Sequence, residues 1–121
     1  MKPSVLIIED NAFLSELYQI AFTSDGFEVA AERSGLGGKN LALTWKPDFI
    51  LLDLMMPDLD GLSILRDIRH QLPDTKIIMC SNLSLSQFKK EAMALGANLV
   101  LEKSQFTPLE IVTEIKKNFD E

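Results

Sequence analysis

Cysteine, histidine, tryptophan and tyrosine each occur only once in this chain of 121 residues. The single cysteine, Cys80, excludes an internal disulfide, and one cysteine with one histidine cannot supply a set of soft metal ligands. Cys80 ends an apolar run, which favours a small buried side chain over a reactive thiol. The cysteine content suits a reducing compartment, so we expect a cytoplasmic protein.

Long apolar runs and clusters of basic residues are also missing. No run approaches the ~18 apolar residues of a membrane-spanning helix, and no signal peptide precedes the first apolar run. The chain has 12 basic and 18 acidic residues, a net charge of −6. This charge disfavours direct binding to nucleic acid, where phosphate contacts dominate affinity. With 46% hydrophobic residues, the composition predicts one globular domain over residues 1–121.

Five apolar runs alternate with five helical patterns. The predicted strands are 5–8, 27–30, 49–52, 76–80 and 99–101, and the predicted helices are 12–24, 36–45, 62–70, 86–95 and 108–119. Such alternation predicts an α/β fold with a parallel sheet, right-handed crossovers and helices on both faces. We expect the helices to alternate between the two faces along the chain.

Two of the helices carry specific expectations. In the first, apolar residues recur at helical spacing and predict the buried face: Phe13, Leu14, Leu17, Ile20 and Ala21. The second has three glycines in its first turns, each weakening it by up to ~1 kcal/mol relative to alanine. We therefore expect that helix to be short, late-starting or mobile, with Leu36, Leu41, Leu43 and Trp45 as its apolar side chains.

The most informative stretch is FILLDLMMPDLDG at 49–61. Its apolar run predicts a strand buried on both faces, and that run ends on Asp53. The tip of such a strand is where doubly wound sheets keep their active sites. Capping of the next helix explains Asp53 poorly, because Asp58 and Asp60 lie nearer to that helix.

Other chemically active residues follow neighbouring strands at the same edge. Glu9 and Asp10 come after the first strand, Ser81 after the fourth and Lys103 after the fifth. Three converging carboxylates repel one another and need a cation, and an all-oxygen site suits Mg²⁺. Asp53 could then act as a nucleophile toward a phosphoryl group, with Lys103 neutralising charge.

These pieces together resemble the receiver domain of two-component response regulators. The resemblance spans 5–119 and rests on Glu9-Asp10, DLMMPDLDG at 53–61, Ser81, Gly96-Ala97 and Lys103. It implies a flavodoxin-like, doubly wound (βα)5 three-layer sandwich whose parallel five-stranded sheet has the order 2-1-3-4-5. It also implies a signalling domain rather than an enzyme, one that catalyses only its own phosphorylation and slow dephosphorylation.

The resemblance assigns the metal ligands. Asp10 would bind Mg²⁺ directly and Glu9 mainly through water, while Asp53 gives a carboxylate oxygen and Met55 its backbone carbonyl. Mn²⁺ can substitute for Mg²⁺ in such sites.

The resemblance also implies the phosphoryl chemistry and the partners. Asp53 would be the phosphoacceptor, Lys103 would pair with Asp53 and then with the phosphoryl group, and Ser81 would donate to a phosphoryl oxygen and be drawn inward. The donor would be a sensor histidine kinase or a histidine phosphotransfer protein. The switching surface, made by the fourth helix, fifth strand and fifth helix, would serve a downstream output domain or protein, or a homodimer.

Two positions depart from the commonest family pattern, and two others bear on the lifetime of the phosphorylated state. Val100 stands where an aromatic switch residue is usual, so a rotating ring cannot report phosphorylation. Ser104 follows Lys103 where proline is usual, and a cis bond before serine costs ~3 kcal/mol. We therefore predict a trans bond there. Met55 and Leu83, which flank the approach of water, are apolar, and this predicts slow self-dephosphorylation.

The residues also bear on three other functions. A phosphatase with an aspartate nucleophile typically has a second aspartate where Met55 stands. A flavin-binding module needs a phosphate-cradling loop after the first strand, where Glu9 and Asp10 would repel phosphate. A degenerate receiver, acting as a phosphorylation-independent interaction module, stays open because of Val100 and Ser104. Both a stand-alone regulator and the receiver of a longer protein fit the sequence.

Overall fold

Five parallel strands form the middle layer of the protein. In the computed structural model, which describes residues 2–82 and 85–119 and the side chains of all these except 85–87, the sheet has the order β2-β1-β3-β4-β5. The strands are β1 (Ser4–Ile8), β2 (Glu28–Glu32), β3 (Phe49–Asp53), β4 (Lys76–Ser81) and β5 (Leu99–Glu102). The predicted flavodoxin-like fold and strand order are confirmed.

Five helices follow the strands. They are α1 (Ala12–Ser24), α2 (Gly35–Trp45), α3 (Gly61–Arg69), α4 (Leu85–Ala94) and α5 (Pro108–Phe119), with a 3-10 turn at Lys103–Gln105. Within the part of the chain that the structure describes, none of these helices has the length and apolar character needed to span a membrane.

The helices do not alternate between the faces, so that expectation was wrong. One hydrophobic cluster packs α2, α3 and α4 on one face, and a second packs α1 and α5 on the other. The reason is the strand order. Each right-handed crossover in one direction across the sheet places its helix on the same face, and the direction reverses once, after β2.

The buried face of helix α1 overlaps only in part with the predicted one, since Ala21 is buried as predicted. Its buried residues are Ser15, Tyr18, Ala21 and Phe22. Phe13 and Ile20 are 72% and 57% exposed, so their assignment to the core was wrong. Ile20 instead lines an apolar groove between α1 and the start of α5, together with Leu17 and Leu109.

Helix α2 starts earlier than predicted and runs for 11 residues in spite of its glycines. Ser34 caps it by accepting a hydrogen bond from the Gly37 amide. Gly38 is needed for packing, because a Cβ there would lie 2.7 Å from Ile8 of the sheet. Leu36, predicted to be a core residue, is instead 56% exposed.

The α4–β5 connection is tied to the end of α3 through Arg69. Its guanidinium donates to the carbonyls of Gly96, Leu72 and Thr75 and to the Asn98 side chain. Gly96 has a φ of 107° and ends α4, as predicted. These contacts fix the entry of β5 and therefore the position of the residues that follow it.

The segment after β5 contains the trans bond predicted before Ser104 and a capping box at the start of α5. Thr107 caps α5 and accepts a hydrogen bond from the Glu110 amide, while the Glu110 carboxylate accepts one from the Thr107 amide. Among the described residues every peptide bond is trans, including the one before Ser104.

Candidate functional site

The carboxyl ends of β1 and β3 bring three carboxylates together. The strands pair in register from Val5 and Phe49 to Ile8 and Leu52, so the residues that follow leave the sheet side by side. One carboxylate oxygen from each of Glu9, Asp10 and Asp53 lies within 4.8 Å of the other two. The cluster predicted from the sequence therefore forms.

Two of these carboxylates are buried and each is held by a backbone amide. Glu9 and Asp53 are 2% and 7% exposed. The Asn11 amide donates to Glu9 at 3.1 Å, and the Met55 amide approaches Asp53 at 3.4 Å. The backbone thus orients both carboxylates at the start of the loops that follow their strands.

Lys103 supplies the cation of the cluster. Its ammonium lies 3.2 Å from Asp53 Oδ1, as predicted, and 2.5 Å from Glu9 Oε1. The contact with Glu9 was not foreseen, and it is the shorter of the two. Because the lysine side chain is 10% exposed, solvent screens these ion pairs less than it would on the surface.

Burial controls the ionisation of the cluster. Loss of solvent raises the pKa of Glu9 and of Asp53, and Lys103 opposes this rise in both cases. Burial alone would lower the pKa of Lys103, but its hydrogen bond to Glu9 and the charges of Asp53 and Glu9 outweigh burial and raise that pKa. The ammonium therefore stays charged, while the ionised form of the carboxylates is disfavoured by their burial.

The donor set fits a hard divalent cation. Three carboxylates and one ammonium leave a formal charge of −2 in the cluster. Carboxylate oxygens are the ligands that Mg²⁺ prefers, and a divalent charge would balance the excess. The burial of Glu9 and Asp53 makes this compensation more valuable than it would be at the surface.

A cavity of about 270 Å³ opens above the carboxylates. The predicted residues Glu9, Asp10, Asp53, Met55 and Lys103 line it, and so do Asn11, Leu14 and Asn82. The sequence interpretation missed these last three. Asn11 caps α1 by accepting a hydrogen bond from the Leu14 amide. For Asn82, the available signal was its polar side chain beside Ser81.

The remaining predicted site residue, Ser81, lies next to Asn82 of the cavity lining. Ser81 ends β4 and is 1% exposed, and the residue before it, Cys80, pairs with Asp53 in the sheet. Cys80 is buried, and burial raises the pKa of its thiol to about 12, in keeping with an inert side chain. Leu83, one of the two positions on which the dephosphorylation prediction depends, lies outside the described residues.

Comparison with known proteins identifies the family. Residues 5–116 match the family described as the response regulator receiver domain. The chain belongs to this family. The receiver domain is 31% identical over 118 residues to the chemotaxis protein CheY of Thermotoga maritima, covering 97% of this chain and 98% of that protein.

The other relatives include larger proteins. The receiver domain is 33% identical to the transcriptional regulator RpaA of Synechocystis, covering 84% of this chain but 43% of that protein. Its fold matches a CheY-like receiver domain from Methanospirillum hungatei with a TM-score of 0.92, over 99% of this chain and 95% of the other, at 20% identity. The predicted assignment to two-component signalling is therefore confirmed.

Proposed function

We propose that this receiver domain accepts a phosphoryl group on Asp53 in a Mg²⁺-dependent reaction. The observation that supports it best is the cluster of Glu9, Asp10 and Asp53 with Lys103 bridging two of its members. A simple helix cap or a solvated acidic surface would not bury two carboxylates against one ammonium. The donor is a phosphohistidine on a sensor histidine kinase or on a histidine phosphotransfer protein.

The metal ligands in this proposal are those predicted from the sequence. Asp10 and Asp53 bind Mg²⁺ directly, Glu9 mainly through water, and Met55 contributes its backbone carbonyl. Mg²⁺, or Mn²⁺ in its place, supplies charge neutralisation for the incoming phosphoryl oxygens. Met55 lines the cavity and is 63% exposed, which supports a role for its backbone carbonyl at the site.

The transfer itself uses residues of the chain in distinct roles. An Asp53 carboxylate oxygen attacks phosphorus, the bond between phosphorus and the donor imidazole nitrogen breaks, and its electron pair stays on the imidazole. Lys103, already 3.2 Å from Asp53, moves from the carboxylate to the phosphoryl oxygens and stabilises their charge. Ser81 donates a hydrogen bond to one of those oxygens.

The output in this proposal is the surface of α4, β5 and α5. A hydrogen bond from Ser81 alters the end of β4, which pairs with β5 at Glu102. Val100, 5% exposed and packed in the cluster with α4, replaces the usual ring, so the switch works through displacement of packed elements. The partner at this surface is an output domain or protein, or a second copy, in the cytoplasm; residues 1–121 act as one domain.

The decisive experiment is phosphorylation by a small donor. The purified domain is incubated with acetyl phosphate and Mg²⁺ and its intact mass is measured. We expect the mass of one phosphoryl group, and we expect its loss in Asp53→Asn and in the presence of a chelator. An unmodified mass, under conditions that label another receiver domain, would favour the alternative of a degenerate receiver.

The lifetime of the phosphorylated state is a separate proposal. Met55 presents no polar atom from its side chain to an attacking water, which supports slow self-dephosphorylation, whereas Asn82 in the cavity lining is a polar group that the sequence interpretation did not consider. We expect Met55→Asn to accelerate decay of the phosphorylated domain. An unchanged decay rate in Met55→Asn would refute the role of Met55. If the wild type itself decays fast and Asn82→Ala slows that decay, Asn82 is the residue that positions the attacking water.

A further inference from the structure

The loop between β3 and α3 is joined to α2 by one carboxylate. Asp58 accepts hydrogen bonds from the amides of Gly35, at 2.8 Å from Oδ1, and Leu36, at 2.9 Å from Oδ2. These residues lie 23 and 22 positions away in the chain. Both oxygens of Asp58 are therefore used on the first turn of a helix to which Asp58 does not belong.

Helix α2 depends on this contact for its start. Its first turn contains no acidic residue and three glycines. Asp58 satisfies the amides of Gly35 and Leu36, while Ser34 satisfies those of Gly37 and Gly38 through its hydroxyl and carbonyl oxygens. Of the first three helical amides, Asp58 therefore satisfies two and the Ser34 hydroxyl satisfies one, whereas the Gly38 amide makes the first intrahelical hydrogen bond.

The loop also depends on the contact. Its base is closed by the Leu54 and Gly61 amides, which donate to Cys80 and Leu54. Between these points, Asp58 provides the hydrogen bonds from the loop to α2 among the described residues. The two segments meet closely, because a Cβ at Gly35 would lie 3.0 Å from Leu59 and 3.1 Å from Asp58.

Asp58 is unsuited to bind the metal itself. It is not in the group of carboxylates that converge, which is Glu9, Asp10 and Asp53. Its hydrogen bonds to Leu36 and Gly35 lower its pKa, so it stays ionised while it caps α2. Met55, whose carbonyl is the proposed backbone ligand of the metal, lies three residues before Asp58 in the same loop.

We infer that Asp58 is a positioning residue that couples the start of α2 to the Mg²⁺ site by fixing the loop that carries Met55. The inference rests on the proposed function. Because coupling between two sites is reciprocal, Asp58 strengthens Mg²⁺ binding and bound Mg²⁺ stabilises the first turn of α2. The stability of the first turn of α2, a glycine-rich helix on the far side of the loop, thereby depends on whether Mg²⁺ is bound.

The test measures Mg²⁺ binding, with Mg²⁺ alone, by NMR titration of the wild type and three variants. Asp58→Ala removes both hydrogen bonds and should weaken Mg²⁺ binding at least about fivefold. Asp58→Asn removes the same charge but keeps one acceptor, and it should weaken binding less. Ser34→Ala removes the other cap of α2 without touching the loop, and it should change the affinity by less than about twofold.

A second measurement separates coupling from simple helix capping. Hydrogen exchange of the Gly35 and Leu36 amides should slow when Mg²⁺ is added to the wild type, and it should respond little in Asp58→Ala. A cap with a merely structural role would lower protection in the variant but would not make wild-type protection depend on Mg²⁺. Circular dichroism confirms that each variant is folded before it is compared.

The outcomes distinguish this inference from the proposed function. If the wild type binds Mg²⁺ and Asp58→Ala binds it equally well, the coupling is refuted and the proposed function stands. Equal weakening by Asp58→Ala and Asp58→Asn would assign the effect to charge alone, and equal weakening by Ser34→Ala would assign it to helix stability; both overturn the role of the loop. A wild type that does not bind Mg²⁺ would overturn the proposed function and the inference together.

Discussion

Replacement of Asp53 by asparagine should make the metal-free protein more stable. At an effective dielectric constant of about 20, like charges at the 4.8 Å limit that encloses the cluster repel by about 3.5 kcal/mol, and Asp53 has two like-charged neighbours within that limit. The attraction of Lys103 at 3.2 Å is about 5 kcal/mol on the same scale. The balance disfavours the charged side chain by about 2 kcal/mol, and burial adds to this cost.

The neutral asparagine side chain would remove that cost without leaving the lysine unpaired, because Lys103 keeps its contact with Glu9 at 2.5 Å. We expect Asp53→Asn to raise the free energy of unfolding by about 2 kcal/mol, or the melting temperature by about 6 °C for a chain of this size. The assay is thermal unfolding followed by circular dichroism in a buffer with chelator. Asp74→Asn, at an exposed acid on the opposite edge of the sheet, controls for net charge and should stay within about 0.5 kcal/mol of wild type.

Addition of Mg²⁺ should reverse the order of stability of Asp53→Asn and the wild type. A ligand that binds the folded protein at 100 times its dissociation constant stabilises it by about 2.7 kcal/mol. Asp53→Asn lacks one ligand and should gain less, so the wild type recovers the difference. The reasoning about a strained acidic site would be refuted if Asp53→Asn were no more stable than the wild type without metal.

Other residues of the domain can be tested in similar ways. Burial raises the pKa of Glu9 and Asp53, so in the pH window above their ordinary pKa values the folded protein keeps protons that the unfolded chain has lost. The free energy of unfolding of the metal-free protein should therefore fall as pH rises through that window. Urea unfolding at several pH values measures this change, and a rise with pH would contradict the prediction. Arg69→Ala should cost about 2–3 kcal/mol through its lost carbonyl contacts, and Arg66→Ala, at an exposed site on α3, should cost little in the same urea titrations. Phe13→Ala should slow transfer from a phosphohistidine protein, since the exposed ring lies two residues beyond Asn11 at the cavity, but leave labelling by acetyl phosphate unchanged; equal rates with the protein donor would count against docking there.

The site could be predicted from the sequence because its residues follow buried strands. Asp53 ends one apolar run and Lys103 follows the strand formed by another, and the ends of parallel strands meet at one edge of the sheet. The strand order came from the family resemblance rather than from the residues. The expected alternation of the helices rested on the strand–helix pattern alone, which does not reveal the reversal of direction after β2, and it assigned helices to the wrong faces.

Contacts between distant side chains account for the other differences. The early start of α2 depends on Asp58, which is 22 residues from Leu36 and carries no local sign of that role. In α1, apolar residues cover more than one face, and periodicity alone did not show that Tyr18 would point to the core and Phe13 to solvent. Such choices are settled by the neighbouring elements, which the sequence of one helix does not specify.

The ion pair between Lys103 and Glu9 has a consequence for synthesis and folding. Its partners are 94 residues apart, and β5 is the last of the five described strands and an edge of the sheet. Chains are made from the N-terminus, so the acidic cluster is complete before its ammonium has left the ribosome. A nascent chain that stops before β5 holds mutually repelling carboxylates without Lys103, and this repulsion delays closure of the pocket until the whole domain has been made.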